Sequence, residues 1–100
     1  MKTKMNSKTA TKADTYRLPT ASTPENLETR LMHNCGTILT FGDRILVAGY
    51  FYDPSGRSYY GATYRFTTAD HTCEGEVELA SISETTFEDN GHAIAWAMAN

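Results

Sequence analysis

The chain has 100 residues, a formal net charge of −3 and 40% hydrophobic residues, a length that holds one small domain and excludes a multidomain enzyme. Its charge is unevenly spread: residues 1–22 carry four lysines and Arg17 against Asp14, a net +4, while residues 23–100 carry four arginines against eleven acids, a net −7. An acidic body repels phosphate backbones, so direct nucleic-acid binding by residues 23–100 is excluded, and no apolar run reaches the roughly 20 residues that a membrane-spanning helix needs.

In chain order the first segment is the tail "MKTKMNSKTATKADTYRLPTAS", which is too polar to repay its ordering entropy and is expected to be disordered over residues 1–22. It lacks the apolar stretch of a secretory signal, so the expected location is the cytoplasm, with reduced thiols. "STPENLETRLMHNCG" then predicts a helix, with Thr23 as N-cap, Pro24 at the first helical position, Glu25 in the first turn, and Asn34 with Gly36 as the stop. "TILTF" precedes the two-residue hairpin signal Gly42-Asp43, and "RILVAGYFY" precedes the turn Asp53-Pro54-Ser55-Gly56. "RSYYGATYRF" and the alternating "CEGEVELASI" supply two further strands. "TTFEDNGHAIAWAMAN" predicts a closing helix that starts at a capping box on Thr85 or Thr86 and sets Phe87, Gly91, Ile94 and Met98 on one helical stripe. The expected fold is a single acidic α+β domain over residues 23–100: helix, four-stranded antiparallel sheet and C-terminal helix, with both helices on one sheet face.

A four-residue turn at 53–56 places Tyr52 opposite Arg57, Gly49 opposite Tyr60, Val47 opposite Ala62 and Ile45 opposite Tyr64. That face, continued by Phe66, Val77 and Leu79, is the one the helices should cover. The opposite face carries Leu46, Ala48, Tyr50, Tyr52, Tyr59 and Arg65, with Glu74, Glu76 and Glu78 on the fourth strand. A bulge at Gly56 would exchange the faces of one strand.

Two His-x-Cys pairs, His33/Cys35 and His71/Cys73, use both cysteines of the chain. Residues two apart on a helix point about 200° apart, so the first pair chelates only where the helix has stopped, and no Cys-x₂₋₄-Cys knuckle is present. The expectation is no metal and no cofactor. A zinc site on His33, Cys35, His71 and Cys73 is the alternative, and an oxidised bridge between Cys35 and Cys73 is a third reading. Catalysis by Cys73 and His71 would need an activating base and a third orienting group, and no such constellation is legible, so no catalytic residues are expected.

Glutamates at i, i+2 and i+4 on a strand recur every ~6.6 to 6.8 Å on one face, close to the spacing of phosphates along a nucleic-acid strand. Glu74, Glu76 and Glu78 can therefore stand in for a short backbone, or can simply guard an edge strand against aggregation. Tyr50 and Tyr59 would act beside them as anchors, because tyrosine is favoured at interfaces. In size, acidity and element order, residues 23–100 resemble phage-encoded anti-CRISPR proteins. The resemblance implies inhibition by direct binding to a CRISPR effector, often at the surface that holds target DNA, in the host cytoplasm; it carries over no site residues. The expected function is thus a non-enzymatic inhibitor of a basic nucleic-acid-binding protein or CRISPR effector complex, with no membrane partner. A small regulatory or accessory module (antitoxin or phage assembly factor) and a zinc-stabilised interaction domain are the alternatives.

Overall fold

The computed structural model describes residues 16–32 and 36–100. Its elements are β1 (Ala21–Ser22), α1 (Pro24–Met32), β2 (Thr37–Phe41), β3 (Arg44–Asp53), β4 (Gly56–Phe66), β5 (Val77–Ile82) and α2 (Asn90–Ala99). The strands form one curled antiparallel sheet in the order β1-β5-β4-β3-β2, so the α+β expectation stands with five strands where four were expected. The first helix begins where its sequence marks it: Thr23 Oγ1 accepts from Asn26 N at 3.2 Å and Pro24 opens the helix. Its predicted stop at Asn34 lies outside the described residues.

The middle of the sheet has the register that the 53–56 turn dictates. Tyr52 pairs with Arg57, Gly49 with Tyr60, Val47 with Ala62 and Ile45 with Tyr64, with no slip at Gly56. A slip occurs elsewhere, between Thr63 and Tyr64, where β5 offers Ser81 and then Leu79 as partners and Ala80 is the extra residue of a bulge. Because β1 lies at one edge of the sheet and β2 at the other, α1 carries the chain across the face between them. Leu27 of α1, Ile45, Val47, Tyr60, Ala62, Tyr64, Val77, Leu79 and Ile82 form the buried core there.

Three expectations are corrected. First, Tyr16 to Ser22 belongs to the packed body. The Tyr16 ring stacks on Tyr60 at 4.1 Å and 4°, Leu18 is 6% exposed, the Tyr64 hydroxyl donates to Pro19 O at 2.6 Å, and β1 pairs with β5. Short as it is, this segment carries two large apolar side chains across the concave face, and that burial repays its ordering. Residues 1–15 lie outside the described residues. Second, the closing helix starts at Asn90 with Asp89 as its N-cap, not at Thr85 or Thr86. Phe87 is held extended by paired backbone hydrogen bonds with Tyr59, Phe87 N to Tyr59 O at 2.8 Å and Tyr59 N to Phe87 O at 3.0 Å.

Third, the two helices lie on opposite faces of the sheet. α2 covers Leu46, Ala48, Gly61 and Thr63, on the face expected to be open, and turns Ala93 and Ala97 inward while Met98 stays 48% exposed. Small residues cause this: a Cβ at Gly61 would come within 2.8 Å of both Ala93 O and the Trp96 ring, so the missing side chain lets the helix seat on the sheet. Ser83 completes the joint, its hydroxyl accepting from Gly61 N at 3.1 Å and donating to Thr85 O at 2.8 Å.

Leu18→Ala should cost about 2 to 4 kcal/mol, the range for opening a cavity at a buried leucine. In a chain of this size that lowers Tm by about 10 °C or more, measured by thermal unfolding; an unchanged Tm would show that Tyr16 to Ser22 does not hold the body together. A second outcome concerns alkali. Burial, then the neighbouring Tyr16, pushes the Tyr60 hydroxyl up to about 12 from its ordinary 10.0. Burial, then Tyr60, raises Tyr64 as well. The folded state prefers both neutral, so the stability they confer is complete below about pH 10 and is lost as pH rises through the folded values. Thermal unfolding should therefore show a decline between about pH 10 and 12 that is shallower in Tyr60→Phe.

Candidate functional site

α2 crosses Gly61 at its middle, through Ala93 and Trp96, and ends beside Arg44, whose Nη2 donates to Met98 O at 3.0 Å. The helix therefore leaves uncovered the hairpin end of the same face, where β3 and β4 bring Tyr50 opposite Tyr59 and Tyr52 opposite Arg57. These four side chains form one array. The Arg57 guanidinium lies 4.4 Å from the Tyr50 ring centre and 5.6 Å from that of Tyr52. It donates to the Tyr59 and Tyr52 hydroxyls, each at 3.1 Å. Tyr50 meets Tyr59 at 5.5 Å and Tyr52 edge-on at 5.7 Å.

The hydrogen bonds to Tyr59 and then Tyr52 push the Arg57 pKa further above its ordinary value, so the cation is permanent. Cation–π contacts of this exposed kind contribute about 0.5 to 1 kcal/mol each. Their greater effect is to hold three aromatic planes and one guanidinium in fixed relation, while Tyr52 stays 69% exposed. Below the array, the Asp53 carboxylate accepts from Ser55 N and from the Ser55 and Ser58 hydroxyls, which fixes the turn.

Pairing of Phe87 with Tyr59 brings the segment before α2 alongside. A cavity of about 350 Å³ there is lined by Thr86, Phe87, Glu88 and His92. Asp89 Oδ1 caps the helix by accepting from His92 N at 2.8 Å, and the same carboxylate meets His92 Nδ1 at 2.8 Å. These contacts, the backbone one first, hold Asp89 below its ordinary value of 3.8.

Of the sequence-derived site residues, the structure brings Tyr50 and Tyr59 together and leaves the glutamates apart. Glu78 lies on β5 opposite Arg65, six residues along β4 from Tyr59, or about 20 Å at strand rise. β5 begins at Val77, so Glu76 precedes the strand and Glu74 sits in a turn, its N–H donating to Thr72 Oγ1 at 3.2 Å. The three-rung ladder is thus corrected to two rungs, Glu76 and Glu78. These line a cleft of about 360 Å³ with Ser22, Thr23, Asn26 and Thr67. Nor is β5 an open edge, since Ala21 pairs with Glu78 and Ser22 with Val77.

His33 and Cys35 lie outside the described residues. His71 stacks on Phe66 at 4.7 Å, and Cys73 is exposed, with its carbonyl accepting from Glu25 N at 3.3 Å. Among the described residues no group of three or more His, Cys, Asp or Glu is placed to hold a metal ion. Sequence reasoning did not assign Arg57, Tyr52, Phe87 or Asp89 to the site. The cross-strand register already placed Arg57 beside Tyr52, whereas nothing local joins Phe87 to Tyr59.

Fold and surface together define a small α+β sheet domain with an uncovered aromatic array organised around a guanidinium. The chain belongs to the family Nmad4, nucleotide modification associated domain 4, which it matches over residues 18–100. No curated protein and no solved structure matches it. Among the described residues no helix is long and apolar enough to cross a membrane.

The folded state favours Asp89 ionised, so its contribution is present at neutral pH and is lost as pH falls through its lowered value. Asp89→Ala should destabilise the protein at about pH 7, and the gap to the unmodified chain should shrink by about pH 2. Paired thermal unfolding curves check this, and a gap independent of pH would remove the carboxylate from its capping role.

Proposed function

We propose that the protein is a non-enzymatic binding module of a nucleotide-modification system, which docks on a basic, nucleic-acid-handling protein through Tyr50, Tyr52, Arg57 and Tyr59. The observation that carries this reading is the interlocked array itself. Tyrosine and arginine are the residues that most often dominate interface energetics, and an array already held rigid loses little entropy on binding. Body charge selects the partner's class: at −7 it repels nucleic acid and steers a basic protein. Glu88 and Asp89 beside Phe87, more than Glu74, Glu76 and Glu78, supply the acids that flank the tyrosines. The family's association with nucleotide modification is consistent with such a partner.

In its finer form the proposal is inhibition of the anti-CRISPR type, acting in the host cytoplasm by occluding the partner's nucleic-acid site. An accessory role would use the same contacts without occlusion. The rungs Glu76 and Glu78 favour occlusion, because they are the part of the surface that can imitate phosphates.

The test is affinity capture from nuclease-treated lysates of cells that carry nucleotide-modification or CRISPR systems, followed by binding measurements on the purified pair. The unmodified chain should retain a basic nucleic-acid-binding protein. Each of Tyr50→Ala and Tyr59→Ala should weaken the complex by about 2 kcal/mol or more, roughly thirtyfold. Release of the partner by added DNA or RNA marks an inhibitor, and simultaneous binding of both marks an accessory module. A partner held equally well by the Tyr50→Ala, Tyr59→Ala double variant would overturn the assignment, as would tight binding of a bare oligonucleotide by the acidic body.

A further inference from the structure

The two edges of the sheet are guarded very differently. At one edge β1 is only two residues long and lies beside Glu76 and Glu78. At the other, β2 is the uncharged run Thr37-Ile38-Leu39-Thr40-Phe41, with no lysine, proline or bulge to blunt it. Its hairpin partner is reached through the two-residue turn Gly42-Asp43, with Gly42 at φ 66°. Such a turn closes on a hydrogen-bonded pair, Phe41 and Arg44. By alternation Thr37, Leu39 and Phe41 therefore spend their backbone groups on β3, while the N–H and C=O of Ile38 and Thr40 point away from the sheet. Leu39 and Phe41 share a side with Leu46 and Arg44. That is the side α2 covers, yet α2 packs on β3 and β4 and stops short of β2. Leu39, Phe41 and Met98 consequently stay 47%, 47% and 48% exposed.

We propose that β2 pairs antiparallel with β2 of a second copy of this chain, about a two-fold axis at Leu39. In that register Ile38 faces Thr40 of the second copy, and these two residues are the ones with outward backbone groups, so the edge is complementary to itself. Leu39 faces its own counterpart as a non-hydrogen-bonded pair, with Cα atoms about 4.5 Å apart. The axis is perpendicular to the sheet. Leu39, Phe41 and Met98 of both copies therefore gather on one side, and the apolar area left by α2 is covered. Charge argues for a second copy here and against one elsewhere. Each body carries −7, so copies repel wherever acids meet; β2 itself has none, and Glu25 and Glu28 of α1, which share a pocket with Ile38 and Thr40, lie on the side of the sheet away from Leu39 and Phe41. The union makes a ten-stranded sheet with both tyrosine and arginine arrays on the same side, and it does not depend on what those arrays bind.

Sedimentation velocity and light scattering on the full chain test this. The expected species at tens to hundreds of micromolar, the range in which modest edge pairing is populated, has twice the 11.1 kDa mass of one chain. Leu39→Lys sets two like charges on the axis, and Thr40→Pro removes an outward N–H. Each should shift dissociation at least about tenfold toward monomer, with the far-UV spectrum and thermal unfolding showing that the monomer is folded. Tyr52→Ala should leave the dimer intact. A covalent trap reports the register even where those variants fold poorly. In a Cys35→Ser, Cys73→Ser background with oxidised glutathione as oxidant, Leu39→Cys should give a disulfide-linked dimer, because ~4.5 Å lies within the Cα range of disulfides. Phe41→Cys, which faces Thr37 of the other copy, should give far less. Monomers throughout would overturn the proposal and leave the edge to a strand of another protein. So would a dimer that persists in both edge variants, or equal trapping by the two cysteine variants.

Discussion

The rest of the molecule depends on the ladder between β3 and β4, which runs without interruption from Arg44↔Arg65 to Asp53↔Gly56. Side chains alternate along a strand, so moving this register by one residue would turn Tyr60, Ala62 and Tyr64 toward α2 and Tyr59, Gly61 and Thr63 toward the α1 core. The Asp53 carboxylate holds the register. Its hydrogen bonds to Ser58, first, and to Ser55 keep it ionised below its ordinary range, and Gly56 takes a φ of +125° that a side chain would resist. Gly49 does the corresponding work on the other strand. A Cβ there would run into the ring of Tyr60, so its absence lets that ring lie across the strand and stack on Tyr16.

Where pattern and local chemistry coincide, the fold was legible. The Thr23-Pro24 start of α1, both hairpins, the β3 and β4 pairing and the inward set Ile45, Val47, Tyr60, Ala62, Tyr64, Val77 and Leu79 all follow from caps, turns and a period of two. Legibility failed where small residues or long-range pairing decide the packing. α2 was read by the stripe Phe87, Gly91, Ile94 and Met98, but Ala93 and Ala97 meet the sheet because Gly61 lets the backbones approach. Tyr16 and Leu18 sit in a polar segment whose average composition hides two anchors. The bridge from Tyr59 to Phe87 joins residues 28 positions apart and leaves no local signature.

The site was half legible for the same reason. Tyr50 and Tyr59 followed from alternation, and the register put Arg57 opposite Tyr52, whereas its contacts with Tyr50 and Tyr59 show only where the hairpin extends beyond α2. That extra length is what makes the array a surface at all. The Asp89 cap starts α2 where its carboxylate takes the His92 N–H, so the residues before it stay extended beside Tyr59 instead of helical. Phe87, pinned to Tyr59, holds that segment along the edge of the array.

Charge and apolar area are divided among the surfaces in a way that gives each a different reach. Acids before α2 flank the tyrosine and arginine array, so their field reaches out over a Debye length, about 8 Å at physiological salt, beyond the rings themselves. β2 has no such field and acts only at contact, through two pairs of backbone groups and three exposed apolar side chains. Paired edges therefore form slowly and reversibly and set how many arrays look the same way. Under the proposed function, the arrays determine what is held. With two arrays on one rigid sheet, the second engagement with a repeated or two-fold partner is intramolecular, and a contact of modest strength at each gains orders of magnitude in residence without any further residue taking part.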